Sequence, residues 1–308
     1  MPSPSCDISS AIKSQARSLG FDACGFAQAV PVASEAVARY DRWIGQGHHG
    51  CMRWAAGNCD LRRDPSMLLE GARTVISVAL NYYPARLQPA EALRVAYYAY
   101  GRDYHEVMRE KMTQLAHFIE DFTHCATRVC VDSAPVRERY WAQQAGVGFI
   151  GRNNCLIIPG RGSFFFLGEI ITTAELTPDE PCPLTCGSCR RCVDICPSGA
   201  LGDDAAADCN RCLSCLLIEN HDDVLPAWVA SAAGGRVVGC DECQLCCPHN
   251  AGAVATQVPD FAMSDAVATL TRQRVAEMTS GDFRRTFAHS AITRLRLKTL
   301  RRNALLND

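Results

Sequence analysis

The chain has 308 residues, 48% of them hydrophobic and 21% charged, with a formal net charge of -2, which is enough apolar material for a proper core in one large domain or two to three modest ones. A pI near 6.4 excludes a global basic field that would gather nucleic acid, so any polyanion has to meet a local patch. Nineteen cysteines stand out, and in a chain of this length without an export signal they point to metal in a reducing compartment, not to a secreted disulfide scaffold.

The opening MPSPSCDISS lacks the charged-then-apolar layout of an export signal, and no apolar run has the length of a membrane span, so a cytoplasmic protein without membrane contact is expected. Ile8, Ile12 and Leu19 recur at roughly helical spacing before Gly20 and predict a first helix over 8–19. The β-branched run TVISVAL (74–80), ended by Asn81 and Pro84, predicts a buried strand, as do CLII (155–158) and FFFLGEII (164–171). Between them, Met108, Met112, Leu115, Ile119 and Phe122 predict a helix over 104–123 with one apolar stripe. Residues 129–170 read as a strand with Asp132 at its end, a helix started by Pro135, the glycine-rich turn GVGFIG and two more strands. Asp132 and Ser133 are open to two readings, as helix caps or as a proton donor projecting from a strand end into a cleft. Strands alternating with helices predict an α/β (α+β) domain over 1–178.

From Pro178, the stretch PDEPCPLTCGSC cannot form a regular element and opens a cysteine-rich domain over 179–252, followed by a basic helical tail over 253–308. Twelve of the nineteen cysteines lie between Cys182 and Cys247. Cys186, Cys189, Cys192 and Cys196 before Pro197 have the C-x2-C-x2-C-x3-C-P spacing of bacterial ferredoxins. Its two-residue gaps let three thiolates from one loop reach three irons of a cube, while the Cys-Pro thiolate turns toward a second cube. Cys240, Cys243 and Cys247 before Pro248 supply the other half, with Cys212 upstream. Cross-ligation then predicts Cys186, Cys189, Cys192 and Cys247 on cluster 1 and Cys196, Cys212, Cys240 and Cys243 on cluster 2. A zinc knuckle gives no reason for a ligand to precede Pro.

Cys182, Cys209, Cys215 and Cys246 are surplus to two clusters, and because Cys209, Cys212 and Cys215 repeat C-x2-C-x2-C, a third cube stays open beside spare thiols. The seven earlier cysteines (Cys6, Cys24, Cys51, Cys59, Cys125, Cys130, Cys155) show no ligand spacing and read as small core hydrophobes. His48 and His49 form a loop pair without a partner motif and receive no role.

The segments HGCMRWAAGNCDLRRDP, VISVALNYYP, YGRDYHEVMREKM, VDSAPVRER, AGVGFIGRN, GSFFFLGEI, CGSCRRCVDICPSGAL, CLSCLLIEN and GCDECQLCCPHN follow one another within residues 8–250, and in them the sequence resembles the epoxyqueuosine reductases. The resemblance implies a cobalamin-binding first domain followed by a bacterial ferredoxin-like domain with two [4Fe-4S] clusters. It also implies reduction of the epoxide of epoxyqueuosine in a tRNA anticodon loop to queuosine, with electrons from an external donor. Asp132 falls on the family's proton-donor position, Arg62, Leu156 and Ser163 on corrin contacts, and Tyr104, His105 and Arg139 on substrate contacts. Burial beside a corrin is expected to raise the Asp132 pKa. A monomer is expected.

Cys215 stands where the family commonly has an aromatic residue, and Cys209 and Cys246 are extra. The chain ends at Asp308, where many relatives continue with a helical repeat. Residues 272–302, with nine Arg or Lys against two acids, then read either as a shortened tRNA grip or as a solvated helix face. Two other classes compete: a reductive dehalogenase-like cobalamin reductase of a small molecule, and a corrin-free iron-sulfur electron carrier.

Overall fold

A computed structural model describes residues 4–202 and 206–306, with side chains from residue 8 onward, so the Cys6 side chain lies outside the described residues. The first half runs α1 (Pro4–Ser18), β1 (Ala23–Gln28), α2 (Ser34–Gly45), the short α3 (Arg53–Ala56) and α4 (Cys59–Arg63), β2 (Thr74–Asn81), β3 (Arg94–Val95) and α5 (Tyr104–Thr123). It continues through β4 (Thr127–Cys130), α6 (Glu138–Gln144), β5 (Phe149–Ile150), β6 (Leu156–Ile157) and β7 (Phe165–Thr172). The cysteine-rich segment holds α7 (Arg191–Ile195), α8 (Leu213–Ile218), α9 (Trp228–Ala233), β8 (Arg236–Val238) and α10 (Glu242–Leu245). Four short helices follow: α11 (Asp265–Ala268), α12 (Arg272–Glu277), α13 (Ser280–Thr286) and α14 (Arg296–Leu305).

The main sheet has the order β1-β2-β7-β4, with every pairing antiparallel. Alternating helices and strands therefore make an α+β arrangement here, not a parallel doubly wound sheet. All eight residues of β2 are buried, because the strand is central and both faces are covered. Ile76, Val78 and Leu80 pack with Ile12 and Ala16 of α1 and with Met108, Met112, Leu115 and Ile119 of α5. Val75 and Ala79 pack with Trp141 and Ala142 of α6. The helix expected over 104–123 forms over those residues, started by Asp103, whose carboxylate accepts the His105 N–H. Its stripe ends before Phe122, which is 50% exposed and stacks on Phe118 beyond the covered face.

The expected helix at Pro135 begins instead at Glu138, and GVGFIG is not a plain turn, since Phe149 and Ile150 pair with Ile157 and Leu156. Gly148 lies against the Ile157 backbone so closely that a Cβ would overlap it, which is why the hairpin needs glycine there.

The tail is part of a core. Val267, Leu270, Val275, Phe283, Phe287, Ile292, Leu295 and Leu300 pack with Leu93, Val95 and Tyr100 and with Val237 and Val238 of β8, each large apolar side chain worth ~1.5–3 kcal/mol. Strands β3 and β8 pair in parallel, joining the first half to the cysteine-rich segment. Asn303, fully buried, donates to Leu217 O and Val237 O (2.8 Å each), locking α14 onto α8 and β8. Some basic residues of the tail reach protein acceptors, Arg301 donating to Met278 O (2.6 Å), Arg302 to Asp222 O (2.7 Å) and Arg294 pairing with Glu219 (2.8 Å), while Lys298 pairs with Asp223 on the surface and Arg272, Arg284, Arg285 and Arg296 are exposed.

Candidate active site and iron-sulfur module

Strand β4 stops at Cys130, and two residues on Asp132 takes φ +43°, a left-handed conformation that an Asp tolerates only at some cost. Two sets of bonds hold it. Its N–H donates to Glu138 Oε1 (2.6 Å), and its Oδ2 lies 2.7 Å from His105 Nε2 and accepts the Tyr104 hydroxyl. His105 Nδ1 lies 2.7 Å from Asp103 Oδ1, so one imidazole bridges two carboxylates. Tyr104 stacks flat on Phe166 (4.3 Å, 3°), which fixes its hydroxyl at the strand end. Since α6 starts only at Glu138, neither Asp132 nor Ser133 caps a helix.

Electrostatics reverses one expectation. Burial does press the Asp132 carboxyl toward its neutral form, but hydrogen bonds from His105 and Tyr104 and the His105 and Arg294 charges outweigh it, leaving the pKa below the usual value. His105 shows the complement: burial favours neutral imidazole, yet Asp103 and Asp132 push its pKa up to about 9. Burial raises Tyr104, and the Asp132 charge adds to that. Glu138 is pushed up to about 7 by burial and by the Asp132 charge. Behind it, burial holds Glu169 well above the carboxylate range, with Ser77 donating to it (3.0 Å). At neutral pH the mobile proton therefore rests on His105 rather than Asp132.

The other expected contacts are spread around this centre. Arg62 on α4 is buried, lies over the Trp54 ring (5.6 Å), and keeps its Nε buried with no hydrogen-bond partner. Leu156 on β6 is buried in the cluster that covers the α6 face of the sheet. Ser163 is buried at the seam with the cysteine-rich segment, where its Oγ donates to Gln244 (3.0 Å) and its N–H to Asn250 Oδ1 (2.7 Å). The structure does not bring Arg139 onto Asp132; it sits exposed on α6 beside Glu138 and donates to Asn154 O (2.5 Å). Gln244, Asn250, Glu138, Asp103 and Arg294 escape sequence reasoning because each lies in a segment read for another reason. Only the local Asp103-x-His105 pattern carried a usable cap signal.

Several late cysteines lie within electrostatic reach of one another. The charge of Cys192 would be felt by Cys186 and Cys247, and that of Cys247 by Cys186 and Cys189; Cys246 lies among them. Cys243 is within electrostatic reach of Cys240 and Cys212. Cys196 stands at its own loop, its Sγ accepting the Ala200 N–H (3.3 Å), and Cys186 Sγ accepts the Arg152 N–H (3.4 Å). Such N–H donors suit thiolate ligands. Among the described residues no three His, Cys, Asp or Glu close to the spacing of a single ion.

Two early cysteines are not plain core residues. Cys155 hydrogen-bonds Cys243, and Cys51 Sγ is 3.5 Å from Cys215 Sγ. The Cys182 N–H donates to Gln143 O (3.1 Å). His49 rests edge-on against Trp43 with Nδ1 buried and unpartnered. No helix among the described residues is long and apolar enough to cross a membrane.

Two family models match. Residues 62–133 fit "Epoxyqueuosine reductase QueG, DUF1730", and residues 185–250 fit a "4Fe-4S double cluster binding domain". Epoxyqueuosine reductase of Gloeobacter violaceus is 42% identical over 95% of this chain and 93% of its own; that of Leadbetterella byssophila is 38% identical over 96% and 97%. A crystal structure of epoxyqueuosine reductase with an epoxyqueuosine-modified tRNA-Tyr stem loop superposes with a TM-score of 0.88 at 28% identity, covering 98% of this chain and 80% of that one. The enzyme from Streptococcus thermophilus gives 0.88 at 30% identity, over 97% and 80%.

Proposed function

The chain belongs to the epoxyqueuosine reductase family, and from that premise we propose how its own residues serve the reaction. The enzyme is an oxidoreductase that converts the epoxide of epoxyqueuosine in a tRNA anticodon loop to the alkene of queuosine; two electrons and two protons enter and water leaves. The observation that carries the reading is the convergence of Tyr104 and His105 on Asp132 Oδ2, in a chain whose residues 185–250 match a double-cluster domain.

We assign one [4Fe-4S] cluster to Cys186, Cys189, Cys192 and Cys247 and the other to Cys196, Cys212, Cys240 and Cys243; the pair supplies single electrons. Cobalamin, when bound in the first domain, supplies a cobalt centre that accepts electrons singly and delivers a pair to carbon. Arg62, Leu156 and Ser163 would hold it. The partnerless buried Arg62 Nε fits an acceptor such as a corrin amide, Leu156 offers apolar surface, and Ser163, bonded to Gln244, would meet the corrin from the seam with the cysteine-rich segment.

The acid step belongs to the chain. A proton held on His105 Nε2 passes to Asp132 Oδ2 and on to the departing epoxide oxygen, while the second proton comes from solvent. Tyr104 keeps its own proton and holds Oδ2 in place, and Glu138 fixes the Asp132 backbone. Exposed Arg139 is suited to a phosphate of the anticodon loop. In this reading the protein is a cytoplasmic monomer fed by an external electron donor, divided into a cobalamin and substrate domain (1–178), a ferredoxin-like domain (179–252) and a tail (253–308). Neither a small-molecule dehalogenase nor a corrin-free carrier is favoured, given the named relatives over nearly the whole chain.

An anaerobic assay with iron- and cobalamin-loaded protein, a low-potential reductant and tRNA carrying epoxyqueuosine tests the reading. The expected product nucleoside is lighter by one oxygen. Unchanged nucleoside with both cofactors loaded would overturn it.

A further inference from the structure

Three cysteines without a place in the reaction meet where the 47–54 loop lies on the cysteine-rich segment. Cys51 Sγ is 3.5 Å from Cys215 Sγ, and Cys215 also hydrogen-bonds Cys209. Bonds that do not involve sulfur hold the two segments together. The Cys209 N–H donates to His48 O (2.8 Å), Asn210 Nδ2 to Gly47 O (2.9 Å), Trp43 Nε1 to Ala207 O (2.8 Å) and Trp54 Nε1 to Glu219 Oε2 (3.3 Å). Gly50, at φ +55°, allows the close approach, since a Cβ there would meet the Cys209 carbonyl carbon at 3.0 Å. The juxtaposition is therefore imposed by the fold, and it uses Cys209 and Cys215, two thiols by which this chain departs from its family's pattern.

A disulfide needs its sulfurs about 2.05 Å apart, so closing this pair takes a shift of only about 1.5 Å, within reach of side-chain rotation. Cys51 is half-buried and Cys215 buried, which sets the order of events.

We propose that Cys51 and Cys215 are an oxidisable pair that a small disulfide, of the glutathione type, converts into an intramolecular disulfide tying the 47–54 loop to α8. The more accessible Cys51 attacks first as its thiolate, breaking the oxidant's S–S bond and releasing one small thiol. Cys215 then loses its proton and attacks the Cys51 sulfur of the mixed disulfide, releasing the second. Two protein thiols are oxidised and one small disulfide is reduced to two thiols, so atoms and electrons balance. The Cys215 hydrogen bond that holds Cys51 below the ordinary thiol pKa agrees with this order. Cys209, on the far side of Cys215, is the alternate partner when Cys51 is removed. The inference does not depend on the reaction assigned to the enzyme.

The test uses the full chain with its iron loaded, equilibrated anaerobically in graded mixtures of glutathione and glutathione disulfide, then alkylated and cut with trypsin. Residues 43–53 contain Cys51 as their sole cysteine, and residues 212–236 contain Cys212 and Cys215. A linked pair of these peptides, two hydrogens lighter than their sum, should form with iron content unchanged. It should vanish in Cys51→Ser and in Cys215→Ser and persist in Cys209→Ser. Alkylated Cys51 throughout the oxidising range, a glutathione adduct that never resolves, or a link that forms only as iron is lost would each overturn the proposal, the last by implicating Cys212.

Discussion

Six positions separate Cys186 from Cys192, whereas 28 separate Tyr104 from Asp132. The cysteine module gathers most of its ligands from tight loops, so most of its chemistry is written in local spacing, with Cys196 and Cys247 crossing between its halves. The acid site gathers a helix start, a strand end and the first residue of another helix, and exists only once the sheet has formed. The comparison teaches that electron supply and proton supply rest on different foundations in this protein, one on spacing and one on tertiary convergence, and that they should fail separately.

The largest expected effect lies on the spacing side. Cys189→Ser should lose one cluster, lowering iron from about eight to about four per chain, and abolish turnover; iron analysis of the purified variant checks this, and full iron would remove Cys189 from the ligand set. His105→Gln probes convergence. Because the folded-state pKa of His105 is raised to about 9, its stabilising contribution is complete below the unfolded value of ~6.5 and declines as pH rises through about 9. The Tm difference between wild type and His105→Gln should therefore shrink from neutral to alkaline pH, and a constant difference would contradict the bridge to Asp103 and Asp132.

Asn303→Ala should lower stability by ~1–3 kcal/mol, the cost of leaving Leu217 O and Val237 O unpaired, with little change in iron; denaturant unfolding measures it. The smallest effect is expected at Cys182→Ser, where iron and turnover should match wild type because Cys182 meets Gln143 O through its backbone N–H. A loss of iron there would break the eight-ligand assignment.

Legibility followed the same division. Strand β2 and helix α5 were readable because burial on both faces produces an unbroken β-branched run and burial on one face a helical stripe. The start of α6 departs from the sequence pattern: Pro135 is a good first helical residue, but the chain turns left-handed at Asp132 and the helix begins only at Glu138. The cysteine pattern announced a cluster module, yet the contacts of Cys51 and Cys155 with late thiols were hidden, since each joins segments far apart in the chain. The expected rise in the Asp132 pKa failed for a similar reason. Burial was foreseeable, but the two hydrogen-bond donors that outweigh it arrive from α5.

The sharpest single test is Asp132→Asn, loaded with iron and cobalamin, reduced anaerobically, followed by absorbance and then given tRNA carrying epoxyqueuosine. The clusters and the corrin should reduce as in wild type, while epoxide reduction falls by ~10²–10⁴-fold for want of the acid step. Turnover equal to wild type, or loss of reduction together with turnover, would contradict the separation of proton supply from electron supply.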